Sequence, residues 1–420
     1  MIQATSVMIQ ATSVWPHRLD ICCLYLAALF PVALIIGNVP FEAVIALTGV
    51  CWLVRCGIGR YNPVPNLLKH PLILPWLAWY CIMVISLLVN GPGDKGFMHD
   101  LVFIRQFLFV AALLDIAQRL PVTRYLICGL AGGIIWSGGN MLMAYLVGYD
   151  LLGTPLIDYQ SKIFLTGRIA GIAAYAAPFF CCFALLRTKE SVVNRMSAFA
   201  LGGLSFFLVI HSSVRTCIIA AFIGLLGCLA YYVLRRYSKK TLLLFLAGIV
   251  LVLGALLPLT NVQPEKLTNL SSLYARFIIW DISFKIWQEH PLIGTSVSAL
   301  QDVYEEKVAT LPPKTLDVPG GGTISSKQLT GITHAHNHVL ELLTATGIFG
   351  LAAFCWLFVQ LVRVHIKNNQ AYPELISLLL VFMVIGLAGY NIYHSWYHSL
   401  FAYIVALSGA PYFLIKKQKS

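Results

Sequence analysis

Apolar runs long enough to cross a bilayer recur along almost the whole chain, and this recurrence restricts the fold more than any other feature. Inside hydrocarbon every backbone N–H and C=O needs an internal partner, and a helix of about 20 residues supplies one for each while spanning the core. Helical spans are predicted near residues 21–37, 41–54, 71–89, 101–116, 125–147 and 169–186, and again near 197–211, 216–234, 241–258, 338–362, 373–390 and 399–415. Only 11% of residues are charged, against about 25% in soluble domains, which excludes a soluble fold. The expected class is all-α: a polytopic integral membrane protein with about twelve transmembrane helices. No small-residue cleavage pattern follows the first run, which therefore reads as an uncleaved span. The string MIQATSV occurs twice, at 1–7 and 8–14, and reads as an alternative start or an expression scar without functional weight.

Charge sets the orientation. A net charge of +12 would point to nucleic acid in a soluble protein. Here it follows the excess of Lys and Arg in cytoplasmic loops, and no nucleic-acid partner is expected. With a cytoplasmic N-terminus, alternate loops hold Arg55, Arg60 and Lys69; Arg119 and Arg124; Arg187, Lys189 and Arg195; Arg235, Arg236, Lys239 and Lys240; and Arg363 and Lys367. The tail adds Lys416, Lys417 and Lys419. With Arg18 these make eighteen of the 29 basic residues, and both termini are placed on the cytoplasmic side. The other eleven include Lys95, Lys162, Arg168, Arg215 and Arg276 on outward segments, and Arg105 inside the fourth span. Outward cations oppose the insertion bias, so an anionic ligand or anionic membrane lipid is one expected offset. All eleven cysteines lie in or beside apolar runs, which predicts free buried thiols rather than disulfides.

The chain divides into spans 1–9 over residues 1–258, an outward loop over 259–337, and spans 10–12 with the tail over 338–420. A loop that long is expected to be functional. In its first half Phe277, Trp280, Phe284 and Trp287 recur at three- and four-residue steps, with Asp281, Lys285 and Gln288 between them. That is an amphipathic helix, either lying at the membrane surface or packed on the spans. The second half, with Pro312, Pro313 and Gly320–Gly322, reads as a lid or access loop.

Three places carry candidate chemistry. THAHNHVLELL at 333–343 leads a histidine-rich turn into the tenth span. A histidine there can take a proton from a hydroxyl at neutral pH. His334, His336 and His338 could instead bind a metal, or be interfacial polar residues without a role. Arg215 in HSSVRTCIIA stands at the outward end of a span, and Arg276 is placed at the start of the surface helix, where free N–H groups favour anions. A phosphate site with a nearby base unites them; ordinary ion pairs are the alternative for each arginine.

On these residues the chain resembles the lipopolysaccharide O-antigen ligases, within the wider O-antigen ligase and polymerase superfamily of GT-C-like membrane glycosyltransferases. The family pattern is His, then Asn/Ser/Gln, nine residues, Gly, two residues and Gly/Thr/Tyr. His336, Asn337, Gly347 and Gly350 satisfy it. Arg215 in HSSVRT and Arg276 in LYARFIIW match the family's two essential arginines, and EHPLIGTS resembles its Pro-hydrophobic-hydrophobic-Gly segment. A glutamate that many members carry before the Thr-Gly pair is Ala345 here, which leaves the subclass open.

The resemblance implies a glycosyltransferase of the bacterial inner membrane, with its active site on the periplasmic face. It would move O-antigen polysaccharide from undecaprenyl diphosphate onto the lipid A-core oligosaccharide. It implies a metal-independent, inverting reaction without a cofactor. His336 would be the catalytic base and Arg215 and Arg276 the diphosphate ligands, with Asn337, His338, Arg168 and Lys162 in possible supporting roles. The nearest alternative is an O-antigen polymerase using the same donor. A protein O-glycosyltransferase comes next, and a secondary transporter last, since no internal repeat is visible and Arg105 and Asp115 are nearly the only charges near the fourth span.

The charge bias yields a direct test. A cysteine placed at Ser325 in a variant lacking native thiols should label from outside intact cells, and one at Lys239 only after lysis. Labelling of position 325 only in lysed cells overturns the orientation.

Overall fold

The computed structural model describes residues 2–153, 163–236, 271–318, 322–328, 334–368 and 372–412. Helices follow the apolar runs. They are α1 (Ile2–Ile36), α2 (Asn38–Ile58), α3 (Val64–Leu67), α4 (Ile73–Asn90), α5 (Phe97–Leu101), α6 (Ile104–Ile116), α7 (Val122–Val147) and α8 (Ile163–Leu186). Then come α9 (Val192–His211), α10 (Arg215–Arg236), α11 (Ser271–Glu289), α12 (Leu300–Thr310), α13 (His338–Asn368), α14 (Leu375–Ala388) and α15 (Ser395–Gly409). A hairpin of β1 (Thr315–Asp317) and β2 (Thr323–Ser325), with Leu316 opposite Ile324, is the only sheet among the described residues.

Nine described helical segments are long and apolar enough to cross a membrane, from Trp15–Ile36 to His338–Lys367, and α14 is a shorter apolar helix. With α15 these account for eleven of the twelve expected spans; the ninth, at 241–258, lies outside the described residues. The protein is an all-α, multi-pass membrane protein. Its core forms around α8, whose spanning window is 83% buried, and α15, buried at every position from Trp396 to Gly409. Tyr175 and Tyr397 join these two helices by a hydroxyl pair at 3.1 Å, which gives each buried hydroxyl a partner. All eleven cysteines are free thiols.

The two ends of the bundle differ in charge. At one end Asp20 meets Arg55 at 3.2 Å and Arg119 at 3.3 Å, Asp115 meets Arg119 at 3.0 Å, and Glu374 meets Arg187 at 2.8 Å. Arg55, Arg119 and Arg187 are among the cations assigned from sequence to the cytoplasmic side, and here each has a carboxylate. The other end gathers the 91–96 loop, the turn before α10, the 290–296 segment, the 334–337 turn and the 389–394 turn. Arg105 and Asp115, one at each end of α6, are not midplane charges: Arg105 pairs with Glu42 at 2.6 Å at the second end.

One span is broken. Gly347 stands at φ 64°, ψ −165° inside α13, and the helical hydrogen-bond ladder stops there. The stretch Pro291–Ser296 fills the gap. Thr295 and Ser296 donate to the carbonyls of Thr344 and Ala345 at 2.8 and 3.0 Å, while Ile348 and Phe349 donate to those of Pro291 and Leu292 at 2.9 and 3.2 Å. From α4, the Ser86 hydroxyl donates to the Ala345 carbonyl at 3.0 Å, and the Asn90 amide donates to that of Gly294 at 3.0 Å. Irregular backbone at membrane depth is tolerated when protein supplies its partners. Gly347 and Gly294 have no side chain because the two backbones touch; a Cβ on Gly347 would lie 2.3 Å from the Leu292 carbonyl.

The described part of the outward loop holds two helices and a hairpin. Helix α11 buries Ile278, Ile279, Ile282, Ser283 and Ile286, and leaves Phe277 and Phe284 at 44% and 45% exposure. It is both packed on the spans, through its isoleucines, and apolar on its outer face, through its aromatics. The described part of the expected lid is the hairpin, fixed against α11 by Lys314 and Asp281 at 3.2 Å. Arg276 is not at the helix start: α11 begins at Ser271, so the N-terminal N–H groups lie more than a turn away and the guanidinium acts on its own.

Gly347→Ala should abolish stable folding, because this φ/ψ region is nearly glycine-only and costs about 1–3 kcal/mol before the steric clash is counted. Thermal unfolding of purified protein checks this, with Gly132→Ala, which meets nothing within 4 Å, as the control. Equal unfolding temperatures for the two variants would refute the account of the break.

Candidate active site

The 334–337 turn sits at the mouth of α13 and gives its three histidines different surroundings. His336 adopts φ 53°, a left-handed conformation disfavoured for residues with a Cβ. Its Nδ1 lies 3.0 Å from the Gly389 carbonyl. A carbonyl only accepts, so Nδ1 carries the proton and Nε2 keeps its lone pair. Burial lowers the His336 pKa, and the Arg276 charge lowers it further, against the opposing effect of the Gly389 bond. The ring is therefore neutral at pH 7 with a basic nitrogen available.

His334 packs its ring 4.1 Å from that of His336. Burial, followed by His336, His394 and Lys95, pushes its pKa down to about 3. His338 is a core residue: it is 5% exposed, its Nε2 donates to the Tyr390 carbonyl at 3.1 Å, and its ring lies against Phe382 and Tyr397. Gly386 makes room for it, since a Cβ there would be 2.6 Å from Nδ1. Asn337 caps the helix. Its Oδ1 accepts from the N–H groups of Val339 and Leu340 at 3.0 and 3.2 Å, and its amide donates to the Leu387 carbonyl at 3.1 Å.

Arg215 opens α10 directly after a turn in which Ser213 has φ 55°. Arg276 reaches the same place from α11. Burial and then the charge of Arg215 lower the Arg276 pKa, so the two guanidinium groups repel each other. Arg276 makes no hydrogen bond or ion pair among the described residues, unlike Arg105 with Glu42. Two like charges held together in a half-buried place favour a ligand with at least two negative charges. The charge of Arg276 also reaches His336, so the three side chains gather at the same end of the bundle.

Arg168 is separate from that pair. It donates to the Leu34 carbonyl at 3.2 Å and to Asn38 Oδ1, and lies over the Phe41 ring. His394, whose pKa falls to about 4 through burial and then Arg168 and Lys95, lies near it. Lys162 lies outside the described residues. Among the described residues no group of three His, Cys, Asp or Glu side chains could hold a metal ion.

Sequence reasoning missed the Gly389 carbonyl, which fixes the tautomer, because it lies 53 positions away. It also passed over Trp280, as a tether, and Glu341. The latter is four residues after Asn337, a first-turn spacing that was visible but reads as ordinary helix.

Residues 200–355 match the family model described as O-antigen ligase. Over that segment the chain is similar to the O-antigen ligases. The matched segment contains Arg215, Arg276, His336, Asn337, Gly347 and Gly350. A search of curated proteins finds no match. The family assignment gives an O-antigen ligase or polymerase-like role: a glycosyltransferase-like ligase reaction, with lipid-linked glycan and lipid A-core as the general substrates. The break in α13, at Gly347, lies within the matched segment and joins its histidine turn to its PLIG segment.

The charge relation between Arg276 and His336 is measurable. A positive neighbour disfavours imidazolium, so Arg276→Gln should raise the His336 pKa. Ring-carbon NMR titration of histidine-labelled protein, assigned with a His336 variant, reads it. An unchanged or lower value separates the two residues.

Proposed function

We propose that this protein is an O-antigen ligase acting on the periplasmic face of the inner membrane, with both termini cytoplasmic. The donor is O-antigen polysaccharide on undecaprenyl diphosphate, and the acceptor is the lipid A-core oligosaccharide. The observation that carries this reading is the juxtaposition of a neutral His336, with its Nε2 lone pair free of the Gly389 bond, and an Arg215–Arg276 pair suited to a diphosphate.

The reaction then runs as one displacement. His336 Nε2 takes the proton of the acceptor hydroxyl while that oxygen attacks the anomeric carbon of the donor sugar. The bond from that carbon to the diphosphate oxygen breaks on the opposite face, which inverts the configuration. The electron pair leaves with the diphosphate, and the two arginines stabilise the charge. The arginines do the work of leaving-group stabilisation, so the reaction requires no metal or cofactor. Asn337 keeps the turn in register, His338 packs the helix beneath it, and Arg168 is a contact for anionic groups farther along the outer face.

The test is transfer in a reconstituted membrane assay with excess chelator. A positioned general base contributes about 10²–10⁴-fold. His336→Ala should lose transfer by that order while still binding donor, and His334→Ala should retain it. Arg215→Lys and Arg276→Lys keep charge but lose the two-pronged fork, and should lose donor affinity at normal membrane levels. Wild-type transfer by His336→Ala defeats the assignment of the base. In cells lacking the protein, loss of all polymer-bearing lipopolysaccharide bands is the ligase outcome; single-repeat bands would make it a polymerase.

A further inference from the structure

Ala335, between the two packed histidines, is fully buried, and each peptide beside it is held by a different helix. Its N–H donates to Glu341 Oε2 at 2.6 Å. Its carbonyl accepts from Trp280 Nε1 at 2.9 Å. The first bond pins the 334–335 peptide and the second pins the 335–336 peptide, whose plane contains the axis of the His336 φ rotation.

Glu341 is a costly residue for this purpose. It is 0% exposed, and its other oxygen, Oε1, has no hydrogen-bond partner. A buried carboxyl with one satisfied oxygen is disfavoured unless the structure needs its strong acceptor. Ala335 is its only hydrogen-bond donor among the described residues. The hydroxyls of Tyr304 and Tyr393 bond instead to Ser283 and to Thr346. The tether of Ala335 therefore accounts for the carboxyl, and neither the diphosphate nor the acceptor is needed to explain it.

The conformation that the tether serves is the strained one. His336 stands at φ 53°, a state that persists only where its surroundings over-determine it. Trp280 follows Arg276 by four residues on α11, so the two share a face of that helix. The helix that places a diphosphate arginine thus also grips the backbone that presents the base.

We propose that Glu341 and Trp280 are positioning residues that clamp the two peptides flanking Ala335 and so hold His336 in its left-handed conformation, with Nε2 turned to the acceptor. This rests on the reading of His336 as the base. Neither residue touches substrate.

The experiment is steady-state transfer by the purified full-length protein in lipid nanodiscs, with the unfolding temperature recorded for each variant. Misplacing a catalytic group by about 1 Å can cost about a hundredfold. Glu341→Ala and Trp280→Phe should each lower kcat about ten- to a hundredfold with the KM for donor unchanged. Glu341→Gln keeps an acceptor oxygen and should recover most of kcat. Because both residues act on one backbone unit, the double variant should fall well short of the product of the single losses. Wild-type kcat in either single variant overturns the clamp, as does multiplicative loss in the double variant or a Glu341→Gln as slow as Glu341→Ala. Should Glu341→Ala fail to accumulate, Trp280→Phe and Glu341→Gln decide by the same criteria. His336→Ala is run alongside: if it is inactive while Glu341→Ala is normal, only the clamp fails. If it is itself normal, the base assignment fails.

Discussion

The arrangement of the outer end depends on the exchange of backbone hydrogen bonds at the break in α13. A continuous helix would satisfy its own amides and leave Pro291–Ser296 as a loop over its surface. With Gly347 out of the helical region, four carbonyls and four N–H groups cross between the segments instead. At membrane depth such bonds are hard to open, because hydrocarbon offers no replacement. The upper part of α13, from His338 to Gly347, spans about 13 Å at 1.5 Å per residue. It is joined at its foot to the chain leaving α11 and at its head to Trp280 on the same helix. Arg276 on α11 and His336 ahead of α13 are thereby registered to each other, although sixty positions separate them.

The two ends of the bundle solve opposite electrostatic problems. Where Arg55, Arg119 and Arg187 lie, Asp20, Asp115 and Glu374 neutralise them within 3.3 Å, and the tyrosine ring of Tyr61 sits under two of the guanidiniums. Such pairs hold helix ends together and leave little field for a ligand. At the other end the charge of Arg215 lowers the pKa of Arg276, and that of Arg276 lowers the pKa of His336, which stays neutral. A neutral imidazole among these cations is the expected state, because a positive field discourages protonation of a histidine.

Sequence legibility followed the range of the interaction that fixes each feature. Spans and membrane class rest on local hydropathy, so eleven of the expected helices appear near their predicted positions; the ninth expected span lies outside the described residues. The motif spacing from His336 to Gly350 singled out the glycine at the break and the turn residues around His336. It could not separate the histidines physically. His338 became a packing residue because Gly386 and Phe382, on another helix, surround it. The start of α11 was misjudged because the apolar periodicity begins after its first turn, and in the described part of the expected lid a hairpin lies beside α11, where Lys314 meets Asp281.

The sequence by itself determined that the chain is a multi-pass helical membrane protein, where its cations concentrate, and which histidine and arginines match a ligase pattern. Each of these is written in a run of neighbouring residues, where hydrophobic length, charge and spacing act locally. Only the tertiary structure decided which nitrogen of His336 is basic, that Arg276 lies beside Arg215, and that Glu341 and Trp280 hold the turn between them. These depend on single donor–acceptor contacts between residues far apart in the chain. A hydrogen bond is specified by a distance near 3 Å, and no local pattern encodes that distance before the helices have packed.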